Sequence, residues 1–173
     1  MESSHKFLRV ILDQELSTET IAITQHPLEW ECPVSVTIDG LVEEAERREM
    51  NNKAEVKIYT DRSGHGGRIG AVAVLYRRFR QGVKVLRKCL GSDKEHTVFK
   101  GECMGQMLEM KLLRREVREK GRIADALMGT NNQAGMQALQ ATGEETARYL
   151  VDEVLKGIQK VKKIDEHMKI KVY

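Results

Sequence analysis

The hydrophobic period of this chain changes from strand-like to helical near residue 97, and that change constrains the fold more than any other feature. From residue 56, Val56-Lys57-Ile58-Tyr59-Thr60-Asp61 alternates apolar with polar, the pattern of a half-buried strand. Residues 69–78 form a largely apolar run and residues 83–90 alternate again. The glycine-rich stretch Ser63-Gly64-His65-Gly66-Gly67 reads as a hairpin turn, so the first strands are expected to form an antiparallel meander. A phosphate-cradling loop is the poorer reading, because such loops open a helix rather than join two strands. Beyond residue 97 the spacing becomes helical. Val98 opens the stretch, Cys103, Met107, Met110, Leu113 and Val117 recur at threes and fours up to Lys120, and Gly121 suits the stop.

The remainder reads as a short apolar strand at 123–128, helices at 132–141 and 144–162, and an alternating strand at 169–173. The order β-β-β-α-β-α-α-β implies an α/β fold: a five-stranded mixed sheet flanked by helices, formed by residues 56–173. Residues 1–55 read as an N-terminal extension. They hold short strand-like runs at 7–12, 20–24 and 34–38 and a charged helical stretch at 41–52. His26-Pro27 and Cys32-Pro33 interrupt any longer helix. Trp30 is expected to be packed.

Charge divides at the same place. Residues 1–55 carry a net charge of −7 and residues 56–173 one of +10, giving +3 for the whole chain. A basic body suits a polyanionic partner, while an acidic extension suits either neutralisation of that body or an interface of its own. Aromatic residues are 5% of the chain, too few for a base-stacking platform of the single-strand-binding kind. No apolar run approaches the roughly 20 residues that span a bilayer, and Met1-Glu2-Ser3-Ser4-His5-Lys6 does not start a signal peptide. Cys32, Cys89 and Cys103 form no metal-binding pair and read as reduced, buried or half-buried thiols of an intracellular protein, nuclear or cytoplasmic.

Three motifs carry a resemblance. Thr60-Asp61-Arg62-Ser63-Gly64 resembles the T-D-G-S-G signature at the end of the first strand of ribonuclease H. Leu90-Gly91-Ser92-Asp93-Lys94-Glu95-His96-Thr97-Val98-Phe99-Lys100-Gly101-Glu102 is similar to the entry into the first helix of ribonuclease H domains in fungal retrotransposon polyproteins. Thr130-Asn131-Asn132-Gln133-Ala134 resembles the T-D-(S/N)-Q-A motif after the next strand. The match spans residues 56–173, with the motifs in the family's order. It implies a ribonuclease-H-like fold, an RNA–DNA hybrid as partner, and Mg2+ or Mn2+ as cofactor.

Two-metal cleavage of a phosphodiester needs acidic oxygens on both ions, which lie about 3.5–4 Å apart. Magnesium favours such hard ligands and keeps several waters. The resemblance places Asp61 and Glu102 as catalytic and metal-binding carboxylates and Asn131 at the third, degenerate catalytic position. An amide brings no negative charge to an ion. Asp125 does not substitute, since six strand residues separate it from Asn131 by about 20 Å. Relative to the family the chain is expected to be truncated at its C-terminus, with the fourth acid and the preceding histidine loop absent. Arg62 replaces a glycine beside Asp61 and sets a guanidinium against any cation there. Gly101 and Gly135 stand where the family has alanine, and each costs a helix about 1 kcal/mol. His65 is expected to be exposed on its turn, and His96 to assist the helix start.

The reading that results is a retroelement-derived domain that binds RNA–DNA hybrid or other nucleic acid, with RNA-strand cleavage lost or crippled and metal binding weak. Arg62, Ser63, Lys111, Arg114, Arg115 and Arg118 are the candidate nucleic-acid contacts; the last four, with Arg122, fall on one face of the long helix, opposite its apolar stripe. The alternative is a host-adopted, non-catalytic protein-interaction module, with residues 1–55 serving a protein partner or self-association. Neither reading involves a membrane.

Overall fold

A computed structural model of the chain describes residues 31–130, 133–141 and 148–173. The strands are β1 (Ser35–Val36), β2 (Val56–His65), β3 (Arg68–Arg77), β4 (Val83–Ser92), β5 (Asp125–Gly129) and β6 (Lys169–Val172). The helices are α1 (Val42–Asn51), α2 (Val98–Lys120), α3 (Gln133–Gln140) and α4 (Arg148–Lys162). All six strands form one sheet in the order β1-β6-β5-β2-β3-β4. The sequence expectations at 7–12 and 20–24, the packing of Trp30, and the starts of the two later helices fall outside the described residues.

The meander is as expected, with longer arms and a tighter turn. β2 and β3 pair antiparallel over ten residues, from Val56↔Arg77 to His65↔Arg68. Only Gly66 and Gly67 are left to turn the chain, at φ of 57° and 70°. Two successive left-handed residues give the hairpin the twist of its strands, and glycine adopts that backbone without a Cβ clash. His65 is exposed at the end of β2. On the other side of β2, β5 pairs parallel, and β6 pairs parallel with β5.

The five strands expected of residues 56–173 are present, and among the described residues a sixth joins them, which corrects the sheet from five strands to six. β1 pairs parallel with β6 through Ser35↔Lys171 and Val36↔Val172, so part of the segment before residue 56 extends the sheet. The alternation at 34–38 marks this strand-like run, but its place at the edge of the sheet is set by pairing with β6. Backbone bonds from Thr37 N to Val172 O (2.9 Å) and from Thr130 N to Tyr173 O (2.8 Å) tie this edge together.

Alternation along β2 and β3 puts Val56, Ile58, Ala71, Ala73 and Leu75 on one buried face. Leu112, Leu113 and Val117 of α2 and Leu150, Val154 and Ile158 of α4 share the core with them. Each valine, leucine or isoleucine among them contributes about 1.5–3 kcal/mol on leaving water. The Thr97 side chain accepts a hydrogen bond from Lys100 N at 3.3 Å and so caps α2. His96, just before the cap, is buried beside Gly91. Gly121 ends the helix at φ 77°, its N–H bonded to Val117 O at 2.8 Å. Cys103 is buried and Cys32 half-buried, but Cys89 is exposed on β4, the edge strand, so the expectation of buried thiols fails at that position. Among the described residues, no helix is long and apolar enough to cross a membrane.

Candidate functional site

The signature residues sit where β2 meets α2, and two glycines bring the elements together. A Cβ on Gly105 would stand 3.1 Å from Thr60 Cβ, and one on Gly101 would stand 3.0 Å from Ile69 Cγ2 and 3.7 Å from Arg62 Cβ. Gly101 is therefore a close-packing residue. Its cost to helix propensity accompanies an approach that alanine would obstruct. The approach carries Glu102, on the first turns of α2, up to the strand.

Glu102 is held there by a cation of the chain itself. Arg62 Nε donates to Glu102 Oε1 at 3.2 Å, with the arginine side chain 41% exposed and the glutamate 18%. Strand alternation separates Arg62 from its neighbour Asp61. Thr60 and Arg62 face α2, whereas Tyr59 and Asp61 face the other side of the sheet.

On that side Asp61 lines an open groove of about 960 Å3. One wall is the loop from Thr37 to Leu41 with Val42, Glu46, Glu49 and Met50 of α1; the other is Gly129, Thr130, Gln133 and Met136, with Tyr59 and Tyr173 between. α1 buries none of its residues and is fastened at its second half. Lys57 Nζ lies 2.7 Å from Glu49 Oε1, the Tyr59 hydroxyl also donates to Glu49, and Arg48 pairs with Asp39. The Arg48 guanidinium stands 5.1 Å over the Tyr173 ring. Tyr59 itself packs against Gly129, where a Cβ would come within 2.6 Å of its ring. Motif reading missed Tyr59, Glu49, Gly129 and Tyr173; only Tyr59 had a local signal, as the residue two before Asp61 on the same strand face.

Asn131 lies outside the described residues, directly after Thr130 of the groove wall. Asp125 is at the opposite end of β5, and its Oδ1 accepts a hydrogen bond from Glu55 N at 2.9 Å. Ser63, Arg115, Arg118 and Arg122 are exposed, and Lys111 and Arg114 are half-buried. Lys111, Arg114, Arg115 and Arg118 run along one face of α2, whereas Arg122, expected on that face, lies beyond the helix end at Gly121; at 1.5 Å per residue, Lys111 lies about 14 Å and Arg118 about 24 Å beyond Glu102.

Among the described residues, the donors do not converge as a two-metal site requires. Two ions need several unengaged carboxylates converging on one point. Glu102 is already paired with Arg62 and does not line the groove that Asp61 lines. Among the described residues, no three histidine, cysteine or acidic side chains form a group able to hold a metal.

The architecture is that of the ribonuclease-H-like fold. The structure is similar to that of a ribonuclease H1 from the halophilic archaeon Halobacterium salinarum NRC-1, at a TM-score of 0.50 and 13% identity, over 68% of this chain and 83% of that one. It is also similar to LC11-RNase H1, isolated from compost, at a TM-score of 0.50 and 12% identity, over 68% and 82% of the two chains. At these identities the likeness establishes the fold. No family model matches the sequence, and no curated protein is similar to it at a significant level.

Proposed function

We propose that this chain is a ribonuclease-H-like nucleic-acid-binding domain of retroelement descent, directed to RNA–DNA hybrid, whose metal-dependent cleavage of the RNA strand is lost or crippled. The observation that carries the binding half is the row Lys111, Arg114, Arg115 and Arg118 on the helix that also bears Glu102. Cations on one helix face meet successive backbone phosphates and read the shape of an A-like duplex, not its sequence. The loss of cleavage rests on Asn131 at the third acid position and on the engagement of Glu102 by Arg62.

Fluorescence anisotropy with a labelled hybrid, at salt between about 50 and 200 mM, tests the binding half. Affinity is expected to fall steeply with salt, and no binding at the low end sinks the reading. Incubation of the hybrid with Mg2+ or Mn2+ tests the other half, with Asp61→Asn as the control. Cleavage by the native chain that the control loses shows an active enzyme.

A second reading, a protein-interaction module, has one observation in its favour. Leu41, Val42 and Met50 around α1 are 62%, 71% and 84% exposed, an apolar surface that an interface would cover. Sedimentation equilibrium that shows a monomer unaffected by Met50→Asp removes the self-association form of that reading.

A further inference from the structure

In the ribonuclease-H-like fold the end of β2 and the start of α2 are expected to present carboxylates to divalent ions, and in this chain they present an ion pair. Glu102 is only 18% exposed on its side chain, so its charge requires a close partner, and Arg62 Nε supplies one at 3.2 Å. The pair is built into the packing. Gly101 lets α2 come up to Ile69 of β3, where a Cβ would stand at 3.0 Å, and β2 holds Arg62 beside it in register with Ala71 of β3. A guanidinium is a planar fork of five N–H donors, and the bond to Glu102 uses one of them. The side chain is 41% exposed, which leaves the end of the fork in reach of solvent.

From this geometry we infer that Arg62 is the resident cation of the site. It neutralises Glu102 in place of a divalent ion, and its remaining donors take a backbone phosphate of the bound nucleic acid. Arginine suits both tasks, because the fork matches carboxylate and phosphate oxygens and its charge is permanent. Binding at this site therefore needs no divalent metal. The phosphate half rests on the nucleic-acid reading above; the cation half does not.

The test uses the full chain and its Arg62→Gly and Arg62→Lys variants, checked for unchanged melting, with two readouts. Anisotropy with the labelled hybrid is measured in EDTA and in Mg2+ at matched ionic strength. Mn2+ binding to the protein alone is followed by the loss of the free-ion electron paramagnetic resonance signal. The native chain is expected to bind hybrid equally well in EDTA and in Mg2+. Arg62→Gly is expected to lose about tenfold in affinity in EDTA and to lower the salt slope by about 0.9, as for one phosphate contact. Arg62→Lys is expected to recover part of that loss. Arg62→Gly is expected to bind Mn2+ more tightly than the native chain, both alone and combined with Asn131→Asp.

Hybrid binding that requires Mg2+, or that is unchanged in Arg62→Gly, overturns the phosphate half. Mn2+ affinity that does not rise in Arg62→Gly in either background overturns the cation half. If no variant binds hybrid, the nucleic-acid reading fails and takes the phosphate half with it, while the Mn2+ comparison still decides the cation half.

Discussion

Thr60 of β2 stands directly under Gly105 of α2, so that a Cβ on the glycine would lie 3.1 Å from Thr60 Cβ. This contact sets the height of the helix over the strand, and with it the position of Glu102 one turn earlier. Gly105→Val is expected to destabilise the domain by about 1–3 kcal/mol, because the added branches meet a strand that cannot retreat from its neighbours. Urea denaturation monitored by circular dichroism checks this. A variant as stable as the native chain contradicts the close approach.

Glu109 is fully buried on α2, and among the described residues neither carboxylate oxygen has a hydrogen-bond partner. Burial alone pushes its pKa well above the ordinary value. The folded chain thus keeps this proton at pH values where the unfolded chain has released it. Stability from this group is complete below the ordinary glutamate range and is lost as pH rises towards the raised folded pKa. Glu109→Met, similar in length and without charge, is expected to gain about 1–3 kcal/mol at neutral pH and little at pH 4. Thermal melts of both proteins across that range provide the check; equal gains at both pH values contradict it.

Glu116 is a buried acid of the opposite kind. It is 1% exposed, and its two oxygens lie 3.0 Å from Arg77 Nε and 2.7 Å from Lys84 Nζ, which joins α2 to β3 and β4. Glu116→Gln is expected to cost about 2–3 kcal/mol. The loss stays below that of a fully buried pair, because Lys84 is partly in solvent and Arg77 keeps Glu55 at 3.1 Å. A double-mutant cycle with Lys84→Met measures the coupling, and additivity of the two losses would show the pair to be idle.

The three cysteines are expected to differ in reactivity. Cys89 is exposed on β4, whereas burial, and then the charge of Glu102, push the Cys103 thiol up to about 12. The thiolate is the reactive form. Brief iodoacetamide treatment at pH 8 is expected to label Cys89 and spare Cys103 until the chain is unfolded. Peptide mass spectrometry reads the difference, and early labelling of Cys103 would show that α2 opens readily from the sheet.

The order and type of the elements from residue 56 onward were legible in the sequence, because side-chain alternation and helical spacing are local properties of each segment. Gly121 and the Gly66–Gly67 turn were marked by residues whose conformational preferences act within a few positions. Only the tertiary structure decided what those elements bring together. Arg62 meets Glu102 across 40 positions of sequence, β1 finds the edge of β6, and α1 becomes a wall of the groove that Asp61 lines. None of these contacts has a period or a propensity. Each depends on which surfaces remain after the core has packed, and Gly101, which counts against a helix in sequence terms, is explained only by the strand it lets the helix approach.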